Sequence, residues 1–430
     1  MGNGPGFVDV GALIRGARNA ARLTQKALGA LCGYSASAIS RIESNQMRLD
    51  YSVAVRLAGV LGIPLDRLTH SSVPDARQIA TVTIWPSDEE DAVRRRELLT
   101  GALAAGATAV MGAGPAAAAT PDVQAAGLDD VLFHLPAAEP MAPARLAEQA
   151  AAARHAFRAA RYTDLGHALP GLLATAEATR EVSSGLARQQ ASGLLARAYV
   201  LAAELASKQH SDAAWVAADR ALSAARASNM PVVIGEASRV LAITMRRSGQ
   251  CSSAVHLLTR EAADLDAGKH RTGAVRTTLL LTAAYSAATG GDRSAALGLL
   301  DQAQEDVERL PEVPGLFTVE ATRAQVDIYR IGVHNALGTP DEGVKVAVAV
   351  DISQMATAER KARAWTDTAR MWHALGNGPQ TFAALRHVER EAPQEVRRPA
   401  LRALTSSLLY GPARVQGVRE FAIRTGALVA

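Results

Sequence analysis

Along the first seventy residues, apolar positions recur at helical spacing in short bursts separated by polar turns. Val8, Ala12, Ile14 and Ala17 set the rhythm of a first helix that runs to about Arg22. Thr24 is a good N-cap for a second helix with Leu28 and Leu31 as its buried stripe, and Gly33 ends it because glycine tolerates positive φ. Ser35 then caps a third helix, Ala36 to about Ser44, in which Ile39 and Ile42 face inward while Ala36, Ser37, Ser40 and Arg41 stay outside. Tyr51–Leu61 predicts a fourth helix offering Val55, Leu57, Ala58 and Leu61 to the core, and Ile63-Pro64-Leu65-Asp66-Arg67-Leu68 starts a fifth. Two short helices joined by a tight glycine turn describe a helix-turn-helix.

From Pro143 onward the period is again helical, but the segments are long, rich in Ala, Leu and Arg, and cut by short polar breaks. These are Arg161–Asp164, Lys208–Asp212, Ser248–Gln250, Gly290–Arg293, Gly338–Asp341 and Gly376–Pro379, about 38–48 residues apart. Ala214, Ala254 and Ala295 follow three of the breaks at intervals of 40 and 41, and such small residues let antiparallel helices approach closely. Recurrence of this kind is the signature of a helix-hairpin solenoid, with about six pairs and a shorter cap near 398–430.

The stretch between the two patterns carries a misleading signal. Residues 71–86 read as a linker or one small strand (Ile79, Val82, Ile84). Arg94-Arg95-Arg96 before LLTGALAAGATAVMGAG has the outline of a twin-arginine export signal or a membrane span. Ser87-Asp88-Glu89-Glu90 is a capping box, however, and Glu90 and Asp91 stand four residues before Arg94 and Arg95, as in a soluble helix. Leu98–Ala119 is uncharged but mostly Ala and Gly, with too few large apolar residues for insertion. We read it as one Ala/Gly-rich helix running into a flexible linker, with a membrane-anchored chain as the lesser alternative.

Composition sharpens this picture. Aromatics make up 4% of the 430 residues against 48% hydrophobic, which suits closely packed helices and argues against an all-β fold. The net charge of +4 sits entirely in residues 1–70, where eight Lys/Arg face four acids, and the other 360 residues balance at 38 of each sign. A surface that seeks a polyanion is therefore expected at the N-terminus. Cys32 and Cys251 lie too far apart in sequence for a disulfide framework, and the N-terminus lacks a secretory pattern, so a reducing cytoplasm is expected. No phosphate loop, zinc helix, CxxC pair or nucleophile elbow is present and the ten histidines are scattered, so neither an enzyme nor a metal or cofactor is expected.

Leu23-Thr24-Gln25, Gly33-Tyr34-Ser35, Ile39-Ser40-Arg41-Ile42-Glu43 and Leu57-Ala58 with Leu61-Gly62-Ile63 resemble the phage-repressor-like, xenobiotic-response-element family of helix-turn-helix regulators over about 60 residues. Two positions depart from that pattern: Gly29 stands where alanine is usual, and Asn45 replaces the glycine usual after the third helix. The resemblance implies a recognition helix in the major groove of double-stranded DNA, with Ala36, Ser37, Ser40 and Arg41 at base-reading positions. Arg41 is the strongest candidate, because its planar fork can pair with guanine O6 and N7; a surface ion pair is its plain alternative. Gln25, Ser35, Asn45 and Arg48 sit where the family contacts phosphates. Glu43 reads as structural.

The C-terminal units resemble tetratricopeptide repeats, with Ala196 and Tyr199 in one inner helix and Ala283 and Tyr285 in another, although they exceed the usual 34 residues. The chain thus reads as all-α: a five-helix helix-turn-helix domain over 1–72, a linker with one Ala/Gly-rich helix over 73–142, and a tetratricopeptide-like α-solenoid over 143–430 for sensing and dimerisation. The combination resembles peptide-sensing regulators of Gram-positive bacteria, and its Ala/Arg-rich composition the actinobacterial ones. It implies a homodimer on a palindromic operator and a signal bound on the first helix of each pair. Arg239, Arg276, Tyr285, Arg323, Tyr329, Arg330, Asn335 and Trp365 are the candidate ligand residues there, and recurrent arginine suits an anionic or carboxylate-bearing ligand. Peptide receptors of this kind commonly hold the peptide with asparagine amides, and the repeats offer Asn229, Asn335 and Asn377 alone. Peptide, small metabolite and protein partner therefore all stay open, as does a scaffold whose helix-turn-helix does not read DNA.

Overall fold

The computed structural model describes residues 9–45, 47, 49, 51–69, 132–411 and 414–428, and among them every regular element is helical. The expected linker strand and the Ala/Gly-rich helix lie outside the described residues. No described helix is long and apolar enough to cross a membrane.

Five helices form the N-terminal bundle: α1 (Val10–Ala20), α2 (Gln25–Cys32), α3 (Ala36–Glu43), α4 (Tyr51–Leu61) and α5 (Leu65–Thr69). Their boundaries follow local chemistry. Thr24 Oγ1 accepts from the Ala27 amide and Ser35 Oγ from the Ala38 amide, each at 3.0 Å, and Gly33 closes α2 at φ 74°. Ile14, Leu28, Ile39, Ile42 and Leu57 are sealed in the core. Three expected core positions are not there: Leu31 is 60% and Val55 43% exposed, and Ala12 faces solvent. The inward stripe of the two-turn α2 runs i to i+4, from Leu28 to Cys32, and α4 turns Val53, Ala54 and Leu57 inward instead. Burial pushes the Cys32 thiol up to about 11, which leaves it unreactive. Gly29 has a local reason: a β-carbon there would stand 2.4 Å from the Tyr34 carbonyl oxygen.

The repeats comprise the hairpins α6 (Pro143–Arg158) and α7 (Tyr162–Val182), α8 (Gly185–Gln209) and α9 (Ala213–Ser228), α10 (Pro231–Arg247) and α11 (Cys251–Ala263), α12 (His270–Thr289) and α13 (Arg293–Arg309), α14 (Arg323–Ala336) and α15 (Pro340–Ala349), and α16 (Ala358–Ala374) and α17 (Gly378–Glu391). A shorter pair, α18 (Pro399–Leu409) and α19 (Val418–Arg424), ends the chain. All six polar breaks fall at the turns inside these hairpins, and each turn is built the same way. One residue is left-handed, namely Ala160, His210, Gly249, Gly291, Gly338 or Gly376. The next amide reaches back five residues to a carbonyl, as in Gln250 to Met245 at 2.9 Å and Thr339 to His334 at 3.0 Å. This is the Schellman closure, and it explains why glycine recurs there. The small residue after the turn lies one place later than expected in α13, where Ala296 is sealed and Ala295 is half-buried.

The chain divides into two compact units. One comprises Met1–Trp85, Leu280–Pro314 and Val319–Ala430, and the other Pro86–Leu279 with Gly315–Thr318. Within the second, the first helices α6, α8 and α10 pack side by side, and within the first, α14 and α16 do the same. The first unit also seats the helix-turn-helix on two repeat turns. Arg56 Nη2 of α4 donates to the Tyr34 hydroxyl at 2.5 Å, and a β-carbon on Gly338 would stand 2.6 Å from Tyr34 Cε1. Gly338 is also at φ 66°. Gly338→Ala is therefore expected to lose about 1–3 kcal/mol by forcing both backbone and ring to shift. A thermal melt of the full chain reads this as a lowered transition, and an unchanged melt contradicts the seating.

Candidate nucleic-acid interface and ligand face

The outer side of α3 is the first site. Ala36, Ser37 and Ser40 are exposed and Arg41 is half-exposed, while Ala38, Ile39 and Ile42 fix the helix from beneath. Among the described residues the Arg41 side chain makes no hydrogen bond or ion pair, so the alternative of a surface pair finds no partner there. Its five donors remain available to a partner. Ser35 spends its acceptor on the helix cap and keeps its hydroxyl proton to donate.

The expected phosphate-contacting residues fare unequally. Gln25 donates to Glu43 Oε2 at 2.9 Å and is half-buried. Asn45 takes the left-handed conformation at φ 56°, as glycine would, but its amide is committed to the start of α1. Its Oδ1 accepts from the Gly11 amide at 3.1 Å and its Nδ2 donates to Asp9 Oδ1 at 2.7 Å. Arg48 lies outside the described residues.

Glu43, at the end of α3, holds this platform together. Its side chain is fully buried, yet it takes Arg18 Nε at 2.5 Å on one oxygen and Arg18 Nη2 at 3.1 Å on the other. Arg15 Nη2 donates to its carbonyl at 2.8 Å. Burial works against its charge, but the bonds from Arg18 and Gln25 and the charges of Arg18 and Arg15 prevail, so its pKa lies below the usual glutamate value. Arg15 and Arg18 are functional supports that sequence reasoning missed, since they sit on α1 and meet Glu43 only after folding.

The expected ligand residues are divided between the two units. Arg239 and Arg276 belong to the second unit, where Arg239 is buried and reaches Glu204 at 3.3 Å, and Arg276 is half-buried. In the first unit Tyr285 and Asn335 meet through a buried network. Arg363 donates from Nη2 to the Tyr285 hydroxyl at 2.6 Å and from Nε to Asp367 at 2.9 Å, while Asn335 donates to Asp367 at 3.2 Å. Tyr329 is buried, its hydroxyl 3.3 Å from Thr282 Oγ1. Arg330 and Arg323 flank Asp327, whose carboxyl burial pushes up against their pull. Arg323 itself is exposed, 3.5 Å from Glu308, and Trp365 stacks on His387 with ring centroids 4.1 Å apart.

A second polar row, on α6, α8 and α10, was not singled out from the sequence. Arg154 is buried and paired with Glu204, and Arg197 donates from Nε to buried Glu236 at 2.9 Å. Helical periodicity treats one helix at a time and gives no sign that these charges converge.

Comparison with known proteins places a family model described as helix-turn-helix on residues 14–68. That span coincides with α1–α5, and it makes the N-terminal segment a helix-turn-helix domain, the class of DNA-binding module its capped α2 and α3 define. No curated protein matches the chain in sequence. Among solved structures, one similar chain is PlcR of Bacillus thuringiensis, in a crystal structure with the peptide PapR7 and DNA. It is 13% identical, the match covers 87% of this chain and 98% of that one, and the TM-score is 0.33.

Proposed function

We propose that this chain is a sequence-specific DNA-binding regulator of transcription whose helical repeats take up a signal and set the occupancy of DNA. The observation that carries this reading is the outer side of α3: three small exposed residues and an arginine with no side-chain partner among the described residues, on a helix locked from beneath by Glu43. A helix so presented fits the major groove, where Arg41 pairs with guanine and Ala36 meets a thymine methyl. Ser35 and Arg48 serve the backbone.

Two copies are expected to bind together, because one such domain covers little DNA, and their recognition helices must then lie about 34 Å apart on a palindromic site. The signal acts by population shift, favouring the arrangement of repeats in which that spacing is met. The contact of Tyr34 and Arg56 with the Gly291 and Gly338 turns supplies a physical route from the repeats to the recognition helix. The protein works in the cytoplasm, needs no metal or cofactor and catalyses no reaction. The test is titration of a recovered DNA site at two salt concentrations. Specific binding with a log–log slope of several counterions supports the reading, and weak binding indifferent to sequence overturns it in favour of a protein-binding scaffold.

A further inference from the structure

We propose that the α2–α3 turn and the two repeat turns it rests on form a seat that fixes the recognition helix to the repeats, so that Tyr34, Arg56 and Gly338 determine which half-site spacing on DNA the protein accepts. The proposal rests on the reading of the chain as a regulator that binds DNA in pairs.

Adjacent residues of the α2–α3 turn touch successive repeat turns. Gly33 meets the turn between α12 and α13, where its β-carbon, if it had one, would stand 3.0 Å from the Gly291 carbonyl oxygen, and Tyr34 meets the turn between α14 and α15 at Gly338. Arg56 of α4 closes the contact from the other side. Its Nη2 donates to the Tyr34 hydroxyl at 2.5 Å, its guanidinium lies 5.1 Å from the centre of the Tyr34 ring, and a β-carbon on Gly291 would stand 2.9 Å from its Nη1. Tyr34 is 2% exposed although it lies in a turn, and α15 packs against α3 itself.

This close approach is particular to two turns. Gly249 and Gly376 hold the same left-handed position in the α10–α11 and α16–α17 turns, at φ 77° and 73°, yet a β-carbon on either would meet nothing within 4 Å among the described residues. The two occupied turns are also tied to each other. Arg293, just past Gly291, donates from Nη2 to Oε2 of Glu342, just past Gly338, at 2.7 Å. His334 Nδ1 stands 3.0 Å from Thr339 Oγ1, which holds the second turn on the end of α14. A module held at two linked points keeps one orientation, whereas one held at a single point can swing.

The seat leaves the reading surface open, since Ala36, Ser37 and Ser40 are exposed while the turn before them is buried. DNA can therefore be read in the seated state, with each recognition helix at a position the repeats dictate. Two binding modules joined flexibly accept a range of distances between their sites, and two joined rigidly accept one.

The test is binding of the full-length protein to paired half-sites at the spacing of a recovered site, to the same pair with a half-turn insertion of about five base pairs, and to one half-site alone. The wild type is expected to lose at least about 30-fold on insertion. Gly338→Ala and Arg56→Ala, which disturb the seat from its two sides, should lose less than about fivefold and keep their affinity for the single half-site within about twofold. Gly376→Ala carries the same backbone strain without the contact and is expected to behave as the wild type, so lowered stability alone does not reproduce the effect. A wild type indifferent to the insertion, or seat variants as sensitive to it as Gly376→Ala, overturns the proposal.

A second readout needs no DNA. A dye is placed on α2 by Ala30→Cys, at an exposed position, in a Cys251→Ser background, and its anisotropy decay is followed. It should tumble with the whole chain in the otherwise wild-type protein and gain a fast component with Gly338→Ala. A fast component already present without Gly338→Ala overturns the seat even where DNA is bound. Conversely, a chain that binds no DNA sequence specifically removes the regulator reading and the spacing role with it, while the slow decay persists.

Discussion

Glu43→Ala is expected to loosen the N-terminal bundle by about 3 kcal/mol, because it leaves Arg18 without its counter-charge in a largely buried place. The carboxylate joins three helices: it is carried by α3, takes two bonds from Arg18 of α1 and one from Gln25 of α2. Arg18 is 12% exposed and the glutamate side chain fully buried, so solvent compensates little when the pair is broken. Hydrogen exchange of the α1–α3 amides in the full-length chain reads this as protection lowered on the order of 100-fold, with the repeats unaffected. The same pair sets an acid dependence. Because the folded pKa lies below the ordinary value of 4.5, the stabilisation is full above about pH 4.5 and is lost as pH falls through the folded value. Protection of these amides that stays constant down to pH 3 contradicts the role given to Glu43.

Arg41→Ala is expected to weaken specific DNA binding by about 1–3 kcal/mol, roughly 5- to 150-fold, and to relax the preference at one base pair. The bundle should keep its stability to within about 0.5 kcal/mol, since the Arg41 side chain supports no described neighbour. The two substitutions therefore separate cleanly: one removes the platform, the other only what the platform presents. Competition between the preferred site and single-base variants, at one salt concentration, checks this. An Arg41→Ala protein with undiminished discrimination contradicts the assignment of that residue.

Much of the fold was legible because its punctuation is local. Thr24, Gly33 and Ser35 cap and close helices through their own side chains or their own φ, so the sequence reveals them directly. The hairpin turns were legible for the same reason, since Gly249, Gly291, Gly338 and Gly376 mark the one left-handed position each turn requires. Facing was less legible. Leu31 and Val55 have the right spacing for burial, but which of two adjacent stripes turns inward depends on the neighbouring helices, and Cys32 and Ala54 took those places. Contacts between distant segments were not legible at all. Neither the grip of Arg15 and Arg18 on Glu43 nor the hold of Arg154 and Arg158 on residues 316–318 leaves a periodic trace. Arginines do recur on the first helices, and those that converge on α6, α8 and α10 include Arg154 and Arg197, which helical spacing alone does not pick out.

The most direct test of the central claim is recovery of genomic DNA with the tagged full-length protein, repeated with Arg41→Ala, from the organism that encodes it. The account predicts a short, roughly palindromic motif shared by the wild-type sites and depleted in the mutant. Diffuse recovery without a motif, the same for both proteins, would contradict it.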